Sequence, residues 1–139
     1  QKQYANIQAM LGGIGAISLL VAAIGITNTM MMSIYERTKE IGVMKVLGCD
    51  MRNIQAMFLI EAADIGLVGG IVGLGISYLI SMIINKVVAA SGNMSSLSYI
   101  PLWLAGASVI FAVVIGMVAG YFPSKRAMKL SPLAAIRNE

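Results

Sequence analysis

From Gln3 to Tyr35 the chain runs 33 residues without a charge, and two more charge-free windows follow, Asp64 to Lys86 and Lys86 to Lys125. This spacing limits the fold more tightly than anything else in the sequence. A bilayer core about 30 Å thick needs roughly 20 apolar helical residues. Three segments qualify: about Ala9 to Ser33, a second in the Asp64–Lys86 window whose helix starts near Arg52, and Pro101 to Phe122. Each is too long for a buried strand. Composition agrees, since 58% of the 139 residues are apolar and only 12% charged, where a soluble domain carries about 25%. The expected fold is all-α, an integral membrane bundle of three transmembrane helices with one short charged helix between the first two. A helix from Tyr4 to Tyr35 would be about 48 Å long. Its polar start, QKQYANIQ, is therefore expected to protrude as a stalk.

Charge asymmetry sets the orientation. Arg37, Lys39, Lys45 and Arg52 follow the first span, and Lys125, Arg126, Lys129 and Arg137 follow the third. Only Lys2 and Lys86 lie on the other side. By the positive-inside rule the N-terminus is outside and the C-terminus inside, a multi-pass arrangement across the membrane. The single domain 1–139 then divides into stalk and span at about 4–35, a cytoplasmic segment at 36–49, a span at 52–85, an outer loop at 86–100, a span at 101–122 and a cytoplasmic tail at 123–139. The net charge of +4 reads as membrane-surface charge, not as a nucleic-acid footprint. A structural zinc site needs about four ligands, so a chain with no His and one Cys, Cys49, comes close to excluding a metal centre. The opening Gln1-Lys2-Gln3 has no basic region before a short apolar run, so it is not a signal peptide and reads as part of a longer protein.

Lipid gives helices no hydrophobic reason to associate, so close backbone contact must do it. The second span carries two small-residue ladders at spacing four, Ala62-Gly66-Gly70 and Gly69-Gly73-Ser77-Ser81. The third carries Ser108-Ala112-Gly116-Gly120. The expected packing positions are Gly66, Gly69, Gly70, Gly73, Ala112, Gly116 and Gly120, with neighbours on two sides of the second span. Glu61 and Asp64 are the only acids near a span. Burying either charge mid-bilayer costs about 2.5–3.5 kcal/mol, so they are either a proton or ion relay or carboxylates near the inner interface facing the bundle.

The segment between the first two spans holds seven charges of both signs from Glu36 to Arg52, with large apolar residues threaded among them. On a helical wheel Ile41, Val43, Met44, Val46 and Leu47 spread over roughly 220°, with Lys45, Thr38 and Lys39 on the remainder. That is too apolar for a solvated loop and too acidic for an ordinary anionic-lipid binder. It suits a short helix pressed between its own bundle and a protein partner. Ser33-x-x-Glu36 fits a capping box, though the first helix running through it is equally consistent. Gly48 is a natural helix stop and Asp50 a natural N-cap for the next helix.

The stretch E-R-T-K-E-I-G-V-M-K-V-L-G-C, Glu36 to Cys49, resembles the signature of MacB/FtsX-type ABC transporter permeases. Phe58-Leu59-Ile60-Glu61-Ala62 and the ending from Pro123-Ser124 through Ser131-Pro132 to Ala135-Ile136-Arg137 resemble two further motifs of that family. Val46 and Cys49 depart from its usual small residues. The resemblance implies a four-span protein whose first span and large outer domain precede residue 1. It implies a cytoplasmic coupling helix that docks on an ATPase subunit, contributed by Glu36, Arg37, Lys39, Glu40, Ile41, Gly42, Met44, Lys45, Leu47 and Gly48. Ile41, Met44 and Leu47 would seat in the ATPase groove, and the charged residues would orient it. It also implies a dimer of permeases, an outside adaptor protein in some members, and movement of the outer domain driven from inside. The output would be efflux of antibiotics, peptides or toxic compounds, lipoprotein release, or activation of cell-wall hydrolases.

No G-x-x-x-x-G-K-[ST] is present, so ATP and Mg would be bound by the partner and the chain itself is not expected to be an enzyme or to hold a cofactor. A helix starting at Ser131, with Pro132 in its first turn, is expected to brace the coupling helix. Two readings from other classes compete: a small ion or proton channel built on Glu61 and Asp64, and a passive membrane anchor.

Overall fold

The computed structural model describes residues 2–92 and 97–131, together with 133 and 137. Its elements are α1 (Lys2–Glu36), α2 (Thr38–Val46), α3 (Met51–Ala90) and α4 (Leu102–Met128). Three of these, α1, α3 and α4, are long and apolar enough to cross a membrane. At 1.5 Å per residue they measure about 52, 60 and 40 Å, each longer than a bilayer core. The chain is an all-helical membrane bundle with one short helix inserted between the first two spans.

The α3–α4 pair is held by small residues. A Cβ added at Gly66 would lie 2.5 Å from the Ala112 carbonyl oxygen, and one at Gly116 2.6 Å from the Ala62 carbonyl oxygen. Gly70 faces the Ala112 side chain and Gly120 faces that of Ala62. Backbone therefore touches backbone along Ala62-Gly66-Gly70 and Ala112-Gly116-Gly120, which substitutes for the hydrophobic drive that lipid does not supply. The second ladder on α3 behaves differently. A Cβ at Gly69 or Gly73 would meet nothing within 4 Å. The close approach is over by Gly70, and among the described residues nothing in this chain packs on Gly69 or Gly73. Only Ser81 of that ladder is buried, its hydroxyl donating to the Ser98 carbonyl at 3.2 Å. There the Asn85 side chain clamps the segment returning to α4. Its amide donates to the Ser98 carbonyl at 2.8 Å, and its oxygen accepts from the backbone N–H groups of Leu97 and Ser98.

The charges place the third span at 101–122, and the helix that carries it, α4, runs on through Pro123 to Met128. Proline has no N–H to give the carbonyl four residues back, so Ala119 loses its intrahelical donor. The Thr27 hydroxyl on α1 lies 2.9 Å from that carbonyl and 3.0 Å from its own Ala23 carbonyl. A neighbouring helix thus satisfies the group that proline frees, which is how membrane helices tolerate an internal proline. The same bond fixes where α1 meets α4. The buried and half-buried positions of α1 fall on one side of the helix, at Leu19, Ala23, Ile26, Thr27, Met30, Met31, Ser33 and Ile34, while residues 2–18 are exposed throughout.

The α1–α2 junction is a bend, not a loop. Arg37 leaves helical geometry (φ −98°, ψ 15°), yet its N–H still donates to the Ser33 carbonyl, and Ile41 N–H to the Arg37 carbonyl. The Thr38 hydroxyl lies 3.0 Å from the Ile34 carbonyl and 2.8 Å from that of Tyr35, covering acceptors at the bend. Such back-bonding by Thr commonly bends helices. The α1 helix therefore runs through Ser33 and Glu36, and no side-chain cap forms at the start of α2. After α2, Gly48 (φ +86°) takes the left-handed conformation, with Gly48 N–H donating to the Lys45 carbonyl and Cys49 N–H to that of Met44. These are the two bonds of a Schellman stop. Asp50 then caps α3, its side chain accepting from the Arg52 N–H at 3.3 Å. The proposed helix from Ser131 and Pro132 onward falls largely outside the described residues.

Candidate functional site

All four helices converge where α2 sits. Met30 and Ile34 of α1, Ile41 of α2, Ile54, Phe58 and Ala62 of α3 and Ala127 of α4 form one buried cluster, with Met44 and Cys49 packed against it. Phe58 and Ile41 are fully buried. Each such side chain contributes on the order of 1.5–3 kcal/mol when removed from water. The short helix is thus part of the core, not an appendage to it.

This arrangement divides the residues expected to couple in a way the wheel did not resolve. Ile41 and Gly42 are buried within the chain itself, and Met44 is half-buried against the bundle. The reason is geometric. A helix of nine residues that must cover Phe58 and Ile54 spends its best apolar positions on its own core, leaving Val43, Val46 and Leu47 outside. Leu47 is 80% exposed and Val46 64%. Lys39 and Glu40 are exposed beside them, as are Glu36 and Arg37 at the bend and Gly48 at the stop. Apolar side chains of this size, in a helix outside the three spans and rimmed by charge, mark a contact surface. A groove of about 520 Å³ opens alongside, between α2 and α3, its walls including Lys39, Glu40, Val43, Met44 and Met57.

Lys45, expected among the charges that orient the helix on a partner, turns inward toward the end of α4. Its ammonium donates to the carbonyls of Ala127 (3.1 Å), Met128 (2.6 Å) and Leu130. These belong to the last turn of α4 and to the second residue beyond it, where carbonyls lack intrahelical donors and the helix dipole is negative. Three ammonium donors meet three acceptors. Burial at this site draws the Lys45 pKa below the ordinary lysine value. Position 45 thereby ties α2 to the end of α4, a tie the sequence could not show because 82 to 85 residues separate the partners.

Of the two acids considered for a relay, Glu61 lies 3.7 Å from the Arg37 guanidinium, an ion pair between α3 and the bend. Asp64 lies on an exposed part of α3. Glu61 also lines a shallow hollow with Asn28, Thr29, Met32, Ser33 and Glu36 of α1.

Comparison with known proteins adds what geometry alone does not. The model of the FtsX-like permease C-terminal family matches residues 12–132. An uncharacterised ABC transporter permease of Methanocaldococcus jannaschii is 42% identical over 127 residues, covering 91% of this chain and 32% of its own length. The ABC transporter permease YtrF of Bacillus subtilis is 38% identical over 136 residues, covering 91% and 31%. The macrolide export ATP-binding/permease protein MacB of Bdellovibrio bacteriovorus is 39% identical over 134 residues, covering 96% and 20%. The chain therefore spans about a third or less of the curated relatives it matches. The match begins in the exposed half of α1, takes in the bend, the short helix and both remaining spans, and ends just past α4; on that extent the chain belongs to the FtsX-like permease C-terminal family.

Proposed function

We propose that this chain is the part of an ABC transporter permease through which an ATPase subunit drives movement across the membrane. The observation that carries this reading is the outward face of α2. Val43, Val46 and Leu47 stand exposed beside Lys39 and Glu40, on a helix whose other side is anchored in the bundle core. A floppy loop would absorb a push. A helix seated on Phe58 and tied to α4 by Lys45 would pass it on, to α4 through those hydrogen bonds and to α1 through the bend at Arg37. Relatives named as ATP-binding/permease proteins support an ATPase as the pushing partner.

In this reading ATP and Mg stay on the partner, and the elbow faces the cytoplasm, as the excess of Lys and Arg at that end favours. The hollow lined by Asn28, Thr29, Met32, Ser33, Glu36 and Glu61, at the inner end of α1, supports a second membrane component there. Those of its polar groups that lie within the span are stable only when protein or a water-filled cavity covers them. A second permease copy would serve. The work done outside is export of a small toxic compound or peptide, in keeping with the export proteins among the relatives; lipoprotein release and hydrolase activation are the alternatives within the same mechanism.

The test is co-purification of the full permease with its ATPase from membranes, comparing the parent with a Val43→Asp/Leu47→Asp variant. Both positions are exposed, so the bundle should fold and insert normally. Loss of the ATPase from the variant supports the reading, and equal recovery from both rejects it.

A further inference from the structure

Two adjoining hollows on α4 share Tyr121 and differ in chemistry. One, of about 350 Å³, is wholly apolar and is lined by Leu59, Met117, Val118 and Tyr121. The other, also about 350 Å³, is lined by Tyr121, Phe122, Lys125, Arg126 and Lys129. Among the described residues, three cations and no carboxylate line the second hollow. The one salt bridge among the described residues lies elsewhere, between Arg37 and Glu61. Lys125 and Lys129 stand one turn apart on the same helix face. Arg126 is held with its guanidinium 5.9 Å from the centre of the Tyr35 ring on α1, so its charge is pre-oriented.

Depth adds the second half of the argument. No charge occurs between Lys86 and Lys125, so Lys125 marks where α4 leaves the hydrocarbon. Met117 lies eight residues before it, about 12 Å deeper along the helix. The basic hollow is thus at headgroup level and the apolar hollow one to two turns inside the membrane. A free phosphate would fill only the first of these spaces.

We propose that this pair of hollows is a binding site for an anionic phospholipid. Its phosphate sits between Lys125 and Lys129, with Arg126 to one side, and an acyl chain lies along Leu59, Met117 and Val118. Basic pockets at this depth recognise anionic headgroups by charge and exclude zwitterionic ones by the absence of an acidic partner. The site stands whether or not the elbow docks an ATPase.

The test places a fluorescent indole at the junction. The full chain carrying W103F and F122W is reconstituted in phosphatidylcholine vesicles containing a minor fraction of either brominated phosphatidylglycerol or brominated phosphatidylcholine. The indole at position 122 should be quenched roughly fivefold more efficiently by the brominated phosphatidylglycerol. Adding K125Q and K129Q should bring the two quenchers to parity, while K125R and K129R should keep the preference. The parent Trp103, at the start of α4, should show no preference. Equal quenching at position 122 before any lysine is changed overturns the site. So does loss of the preference in the arginine variant, which would point to a structural effect, or its abolition by excess inorganic phosphate, which would mean that the cradle takes a free anion.

Discussion

Thr27 and Pro123 act as one unit although they lie on different helices: the proline leaves the Ala119 carbonyl without its helical donor, and the threonine hydroxyl approaches that oxygen at 2.9 Å. The expected consequence is non-additivity. Thr27→Val should destabilise the bundle by about 1 kcal/mol, the usual value of one such bond between membrane helices. In a Pro123→Ala background, where residue 123 can supply the missing N–H, the same change should cost clearly less. Thr27→Ser should be close to neutral. Unfolding in detergent of the four variants gives the cycle directly, and strict additivity would reject the coupling.

Lys45 joins α2 to the end of α4 through three carbonyls. Lys45→Met keeps most of the side-chain volume but removes every donor. It should cost about 1–2 kcal/mol and speed amide exchange near the end of α4. Lys45→Arg should retain most of the stability. Hydrogen exchange read by mass spectrometry distinguishes this from a surface role, in which neither change would alter exchange near residue 127.

The two glycine ladders on α3 predict opposite outcomes for the same substitution. Gly66→Ala would press a methyl onto the Ala112 carbonyl and should cost about 1–3 kcal/mol as overpacking. Gly73→Ala meets open space and should be neutral or slightly stabilising through helix propensity. Cysteine crosslinking yields between α3 and α4 should fall only for the first.

Ile41 and Leu47 both belong to the short helix, yet aspartate should affect them differently. At Ile41, which is fully buried, an uncompensated carboxylate should cost at least about 3 kcal/mol and reduce membrane accumulation of the protein. At Leu47, 80% exposed, the protein should accumulate normally. Blotting of membrane fractions separates the two, and equal accumulation would contradict the inward placement of Ile41.

The spans, the stop at Gly48 and the cap at Asp50 could all be read in the sequence because each depends on local composition or on a few neighbouring residues. So could one helix contact, since Ala62-Gly66-Gly70 and Ala112-Gly116-Gly120 repeat at a spacing that helices impose. The wheel of α2 showed that its apolar residues were too many for one face, but not which of them the core would claim. That depended on Phe58 and Ile54, brought in by another helix. The continuation of α4 past Pro123 was hidden for the same reason: a proline ends a helix unless a distant hydroxyl covers its orphaned carbonyl. Thr27 precedes that carbonyl by 92 residues. No local pattern linked the two.

The one-sided contact of α1 has a mechanical corollary. Its 35 residues contain no proline and no break, and the packed positions all fall between Leu19 and Ile34. With its packed stretch centred near Ile26, such a rod is a lever whose outer arm, Lys2 to Ile26, is about 36 Å long. Rotating it by roughly 5° would sweep Lys2 through about 3 Å, against about 1.3 Å at Glu36. A displacement at the bend is thus more than doubled at Lys2.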